Sequence, residues 1–188
     1  HHDTLTGLPN RYSIKENLKD KIKNNQNKFA LLFVDLDRFK MINDSFGHKT
    51  GDQIIKIMSE RLKECISPNG ILGRLGGDEF VIITEKNKRK ELKKLCQNII
   101  KKISIPYNIK DNTLNITASI GVSLYPENGM TTDKIFKSAD IAMYYAKKRG
   151  GDDYQFYNHK VGNSFTNKLK LVRDLKQAIT NDQFYILF

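Results

Sequence analysis

The sequence predicts an α/β protein, a mixed sheet with helices packed against it. Three observations carry this reading. Apolar segments of strand length alternate with longer amphipathic segments of helical period. One strand-length segment, Phe29 to Val34, is apolar at every position, as a central strand covered on both faces must be. Two further stretches place turn residues between short apolar runs and read as hairpins, which adds antiparallel pairs to the sheet. The 188 residues suffice for one sizeable domain and a piece of a second.

The elements follow in order. "DTLTGLPNRYSIKENLKDKIKN" opens as a turn and continues as a helix, with Pro9 and Asn10 as start signals and Tyr12, Ile14, Leu18 and Ile22 as its apolar face. The buried strand then ends in Asp35 and Asp37. A short helix comes next, then a loop holding Gly47 and Gly51, then a helix that buries Ile54, Ile57, Met58, Leu62 and Cys65 or Ile66. "ILGRLGGDEFVIIT" reads as strand, turn, strand. The stretch from Lys86 to Lys102 is a helix with Leu92, Leu95, Ile99 and Ile100 inward. "PYNIKDNTLNITASIGVSLYP" reads as two antiparallel strands turning at Asp111-Asn112. A helix capped by Thr131 or Thr132 and stopped by Gly150-Gly151 follows, and "DYQFY" closes the sheet. Beyond it, "VGNSFTNKLK" reads as a linker, "KLKLVRDLKQAI" as a helix and "FYILF" as the opening of a second domain.

The formal charge is +11. Much of it lies in the Lys86–Lys102 helix, where lysines fill the face opposite the apolar stripe as a solvated surface. No aromatic residues are interleaved there, and the strands lack a run of basic, glycine and aromatic residues of the RNA-binding type, so nucleic acid is not expected as a partner. No apolar run reaches the length of a membrane span, and His1-His2-Asp3 carries no signal-peptide pattern. Cys65 and Cys96 have neither a CxxC spacing nor a His partner, which points to reduced core thiols. A cytoplasmic protein without a membrane partner is the expectation.

The acidic residues carry the chemistry. Asp35 and Asp37 end the central strand, and Gly76-Gly77-Asp78-Glu79 forms a hairpin tip. Alternation puts Asp35 and Asp37 on one side of their strand. A hairpin beside that strand brings Asp78 to the same sheet end, where carboxylates and a strand carbonyl suit a hard cation such as magnesium. Glycines without a β-carbon let a phosphate approach their backbone. On the following segment Lys40 is placed to meet a phosphate. Asn43 and Asp52 offer the donors and acceptors that read a purine edge, beside His48. Lys147, Lys148 and Arg149 close a helix, where cations also favour the helix dipole. Each feature has a bland reading too: a polar turn, a structural histidine, a helix cap at Asp52.

Taken together, five ordered blocks resemble the GGDEF domains, which are diguanylate cyclases. These are "DTLTGLPNR" (Asp3 to Arg11), "VDLDRFKMINDSFGHKTGD" (Val34 to Asp52), "GRLGGDEF" (Gly73 to Phe80), "ASIGVS" (Ala118 to Ser123) and "ADIAMYYAK" (Ala139 to Lys147). The resemblance implies a mainly antiparallel sheet of the nucleotidyl-cyclase and polymerase-palm type over residues 1–160. It implies condensation of two GTP to cyclic di-GMP with release of pyrophosphate, across a transient homodimer of two such domains. By position, Asp35, the Leu36 carbonyl and Asp78 would hold Mg2+ or Mn2+, with Glu79 supporting the metal or the attacking hydroxyl. Asp78 and Glu79 would be catalytic. Backbone amides of Arg38 and Phe39, with Lys40, Lys147 and Arg149, would hold phosphates that approach over Gly76 and Gly77. Asn43 and Asp52 would read guanine, with His48 near the nucleotide.

The tail over residues 161–188 resembles the start of an EAL phosphodiesterase domain, so an EAL-like domain in the same parent chain is an expected partner. Two departures from the family pattern stand out. The Arg-x-x-Asp product site before the turn is replaced by Ser67-Pro68-Asn69-Gly70, and Gly151 stands where the family tends to carry a clamp arginine. The second departure supports an alternative reading, a catalytically weak GTP-binding module that regulates the attached phosphodiesterase.

Overall fold

The structure, a computed structural model, describes residues 1–24 and 28–181. Its elements are α1 (Arg11–Lys23), β1 (Phe29–Leu36), α2 (Phe39–Phe46), α3 (His48–Cys65), β2 (Ile71–Gly76), β3 (Glu79–Thr84) and α4 (Arg89–Ile103), followed by β4 (Tyr107–Ile109), β5 (Asn112–Leu114), β6 (Ala118–Tyr125), α5 (Thr132–Lys148), β7 (Tyr154–Phe156) and α6 (His159–Thr180). The sheet runs β2-β3-β1-β6-β7. Its pairs are antiparallel except β6 with β7. β1 lies in the middle and all of it is buried, as its unbroken apolar run predicts.

The two-residue period of β1 divides the core. Ala30, Leu32, Val34 and Leu36 face a cluster built with Ile54, Met58 and Leu62 of α3 and Leu92, Cys96 and Ile99 of α4. Phe29, Leu31 and Phe33 face the other way, onto Ile14 and Leu18 of α1 and Ile135, Phe136 and Met143 of α5. The sheet is thus sandwiched between α3/α4 and α1/α5. On the second side β6 presents Ser119, Gly121 and Ser123, small residues that let α5 lie directly on the strand. A β-carbon at Gly121 would stand 1.9 Å from the Ala139 carbonyl oxygen, and Ser123 Oγ donates to the Ile135 carbonyl at 2.9 Å. This close seat brings the end of α5 down to the end of β1.

The helix signals hold. Asn10 accepts from Ser13 N and Thr131 from Lys134 N as N-caps, and α5 stops just before Gly150-Gly151. Both cysteines are buried and free; burial pushes the Cys96 thiol up to about 12. No helix among the described residues is long and apolar enough to cross a membrane.

Five expectations need correction. The segment from Pro106 to Pro126 holds three strands, not two. β4 and β5 form a small separate hairpin turning at Lys110-Asp111, and β6 joins the main sheet. The loop expected around Gly47 and Gly51 is a single break at Gly47, because Gly51 is packed inside α3. Asp52 is therefore within that helix and not its cap. Tyr12 is exposed, since it lies off the Ile14/Leu18 stripe of α1. The stretch read as a linker is helical, part of α6; its single glycine costs a helix about 1 kcal/mol, too little to stop it. Residues 184–188, read as the opening of a second domain, lie outside the described residues.

Candidate active site

The same alternation that builds the core places the acids. Asp35 follows Phe33 on the α1/α5 side of β1, at its C-terminal end, and is buried. Glu79 follows the same parity as Val81 and Ile83 on β3 and is the direct cross-strand partner of Asp35. Asp78 sits in the turn just before it. Gly76 and Gly77, exposed with φ of +137° and +53°, make the tight tip, which side-chain-bearing residues enter only with strain. The sheet end therefore gathers two neighbouring strands' carboxylates beside an open glycine backbone.

Lys147 completes this group from the last turn of α5. Its ammonium donates to Asp35 Oδ1 at 2.5 Å and lies 3.4 Å from the Leu36 carbonyl oxygen. Burial pushes the Asp35 carboxyl up to about 7, and the nearby Asp78 charge pushes the same way, against the pull of Lys147. Burial also raises Glu79; Arg11 opposes it with Nη2 3.3 Å from Glu79 Oε2, while Asp140 and Asp78 add to the rise. Asp140, on α5 seven residues before Lys147, is itself raised by burial and lowered by Arg11. Among the described residues no group of three or more His, Cys, Asp or Glu side chains is placed to hold a metal ion by itself. The donor set is open instead, carboxylates and a main-chain carbonyl that already carry a cationic group. Magnesium is commonly held in this manner, with water and substrate phosphates completing its shell.

The glycine turn is latched to the N-terminal segment. Arg74 donates from Nη1 to both oxygens of Asp3 at 2.9 Å, and from Nε and Nη2 to the Gly77 carbonyl at 3.0 and 2.7 Å. Its backbone N–H bonds the Pro9 carbonyl. Burial works to raise the Asp3 carboxyl, but hydrogen bonds from Thr6 and Arg74 overcome it, so Asp3 lies below the ordinary carboxylate range.

On the other side of β1, Arg38 enters α2 with φ of +58°, Phe39 packs inward and Lys40 is exposed. Asn43 of α2 rests its side-chain oxygen on Gly51 of α3. A β-carbon at Gly51 would stand 2.0 Å from Oδ1, which is buried and has no hydrogen-bond partner among the described residues. Asp52 is exposed next to Gly51, and His48 is exposed at the start of α3.

The structure thus joins Asp35, Leu36, Asp78, Glu79 and Lys147, and sets Asn43 beside the residue that precedes Asp52. One expectation changes. Asp37 does not share the Asp35 site, because β1 ends at Leu36 and the chain turns. Its carboxylate instead accepts from Thr117 Oγ1, Ser119 Oγ and the Asp152 backbone N–H. Arg149, placed near phosphate by position, reaches toward Gln155 of β7 at 3.4 Å. Four residues were not singled out for the site: Asp3 and Arg74 of the latch, and Arg11 and Asp140. Arg11 and Asp140 carry a readable signal, since Arg11 opens α1 and Asp140 lies at i−7 from Lys147, on the same helix face.

The family model "Diguanylate cyclase, GGDEF domain" matches residues 1–153. The bifunctional diguanylate cyclase/cyclic di-GMP phosphodiesterase MucR of Pseudomonas aeruginosa is 37% identical over 188 residues, 98% of this chain and 27% of MucR. The signaling protein YkoW of Bacillus subtilis is 40% identical over 192 residues, 99% of this chain and 24% of YkoW. The chain thus spans about a quarter of the length of these relatives. The solved structure of an N-terminally truncated TpbB, also called YfiN, from P. aeruginosa, comprising only its GGDEF domain, superposes with a TM-score of 0.84 at 31% identity, over 88% of this chain and 99% of that one.

Proposed function

We propose, from the premise that this chain belongs to the GGDEF family of diguanylate cyclase domains, that it condenses two GTP molecules to cyclic di-GMP with release of two pyrophosphates. The observation that carries the reading is the convergence of Asp35, Asp78 and Glu79 at one sheet end beside the glycine turn. Asp35, the Leu36 carbonyl and Asp78 would hold Mg2+ or Mn2+, with Glu79 in support. That cation would polarise a phosphate oxygen and neutralise triphosphate charge.

The chain's own residues do the rest. Gly76 and Gly77 leave room for the triphosphate, and the backbone at Arg38 and Phe39 with Lys40 and Lys147 offers it donors and charge. The unsatisfied Asn43 oxygen and the Asp52 carboxylate suit the N–H donors of guanine, which adenine presents differently. Asp78 accepts the proton from the 3′-hydroxyl of one nucleotide as that hydroxyl's oxygen bonds the α-phosphorus of the other and the bond from that phosphorus to pyrophosphate breaks; the symmetric step closes the ring. Each domain supplies one nucleotide, so the reaction needs two copies face to face. Catalysis here is positioning and charge stabilisation.

MucR, a bifunctional diguanylate cyclase/cyclic di-GMP phosphodiesterase of which this chain covers 27%, supports a phosphodiesterase unit elsewhere in the parent protein, for which an EAL-like domain is our reading. Gly151 favours a second reading, in which the domain binds GTP with little turnover and regulates that neighbour. Incubating the chain at high concentration with GTP and Mg2+, with mass identification of products, separates the two. Cyclic di-GMP from the wild type and none from a folded Asp78→Ala/Glu79→Ala variant is the expected result. Magnesium-dependent GTP binding without product favours the regulatory reading.

A further inference from the structure

We propose that the Arg38 side chain, and not Arg149, meets the terminal phosphate of the nucleotide in this chain. The inference rests on the GTP reading above and adds a residue to it.

Position 151 cannot supply the missing cation by substitution. Gly151 has φ of +76°, and a β-carbon there would stand 2.7 Å from the Asp37 carboxyl carbon. Asp37 cannot yield, because Thr117 Oγ1 and Ser119 Oγ each donate to it at 2.7 Å and Asp152 N at 2.9 Å. The Gly150–Asp152 turn is therefore pinned to the sheet with no side chain at its centre. Of the neighbouring cations, Arg149 turns to Gln155, and Lys147, which the nucleotide also engages, rests on Asp35.

Arg38 stands across from that turn. It lines a cavity of about 500 Å³ together with Gly150, Asp152 and Met41. Its guanidinium has no hydrogen-bond or ion-pair partner among the described residues, and the residue is exposed. The acids lining the cavity do not pair with it: Asp37 already accepts three hydrogen bonds, and Asp152 Oδ1 lies 3.4 Å from Ser104 Oγ. Arg38 also holds a left-handed backbone at the entry to α2, which L residues adopt at a cost. A bare requirement for that backbone would be met better by glycine; an arginine adds a planar, bidentate phosphate ligand.

Calorimetry of GTP and GMP binding, with Ca2+ in place of Mg2+ to suppress turnover, tests this. Arg38→Met and Arg38→Gly are expected to weaken GTP about tenfold and GMP less than twofold, the loss of a charge-assisted contact to the outer phosphates. Arg38→Lys should fall between, and Lys148→Met should bind as the wild type. GTP bound by Arg38→Gly as tightly as by the wild type overturns the inference, as does an equal loss for GTP and GMP. A wild type that binds no GTP overturns the nucleotide reading itself.

Discussion

Lys147 of α5 and Asp35 of β1 meet at 2.5 Å, with the Lys147 ammonium 3.4 Å from the Leu36 carbonyl oxygen. These are two of the oxygens proposed for the divalent cation. One positive group must leave before another can take the place. A phosphate arriving beside α2 offers Lys147 a second anion to move to, which links nucleotide and metal binding.

Lys147→Met should therefore raise the affinity for Mn2+ in the absence of nucleotide about tenfold, since a competing charge worth about 1.4 kcal/mol is gone. Titration of free Mn2+ by electron paramagnetic resonance reads this directly. The same variant should bind GTP more weakly. Mn2+ affinity that stays constant or falls would show that the lysine does not compete.

Asp35 makes the metal-free fold sensitive to pH. The folded chain keeps the Asp35 proton up to about pH 7, whereas an unfolded aspartate releases it near pH 4. Between those values the folded state binds more protons, so its stability falls as pH rises. Each titrating proton contributes at most about 1.4 kcal/mol per pH unit. Denaturant unfolding in chelator at pH 5 and pH 8 should show this loss, and Asp35→Asn should lessen it. An identical slope in that variant would assign the effect to other groups.

Gly51→Ala separates stability from recognition. Alanine gains about 1 kcal/mol of helix propensity over glycine, which offsets the strain of displacing Asn43. The new β-carbon would lie 2.0 Å from Asn43 Oδ1 and 3.1 Å from Phe39 Cζ. The melting temperature should move by a few degrees only. Binding of GTP should drop about tenfold while ATP changes little, so the preference shrinks. A preference kept intact would remove Asn43 from base recognition.

Much of the site was legible as residue types in order. The carboxylate pair at a strand end and the glycine turn required only the two-residue period and a guess that the hairpin lies beside the strand. That guess is correct because β3 pairs with β1. Asp37 misled, since alternation stops where a strand stops, and the end of β1 at Leu36 is not marked in the sequence. Gly51 misled as well, because a glycine that makes room for Asn43 looks the same as one that breaks a helix. β5 escaped notice for being three residues long, too short to show a period.

The sequence by itself determined the central strand, the starts of α1 and α5, the acidic turn and the family, because these depend on local spacing along one chain. Only the tertiary structure decided which charges meet. Lys147 reaches Asp35 across 112 residues because Gly121 lets α5 lie against β6, and Arg74 finds Asp3 across 71 because the first turn folds back on β2. Such pairings follow from close packing between distant segments, and close packing is a property of the assembled sandwich, not of any one stretch.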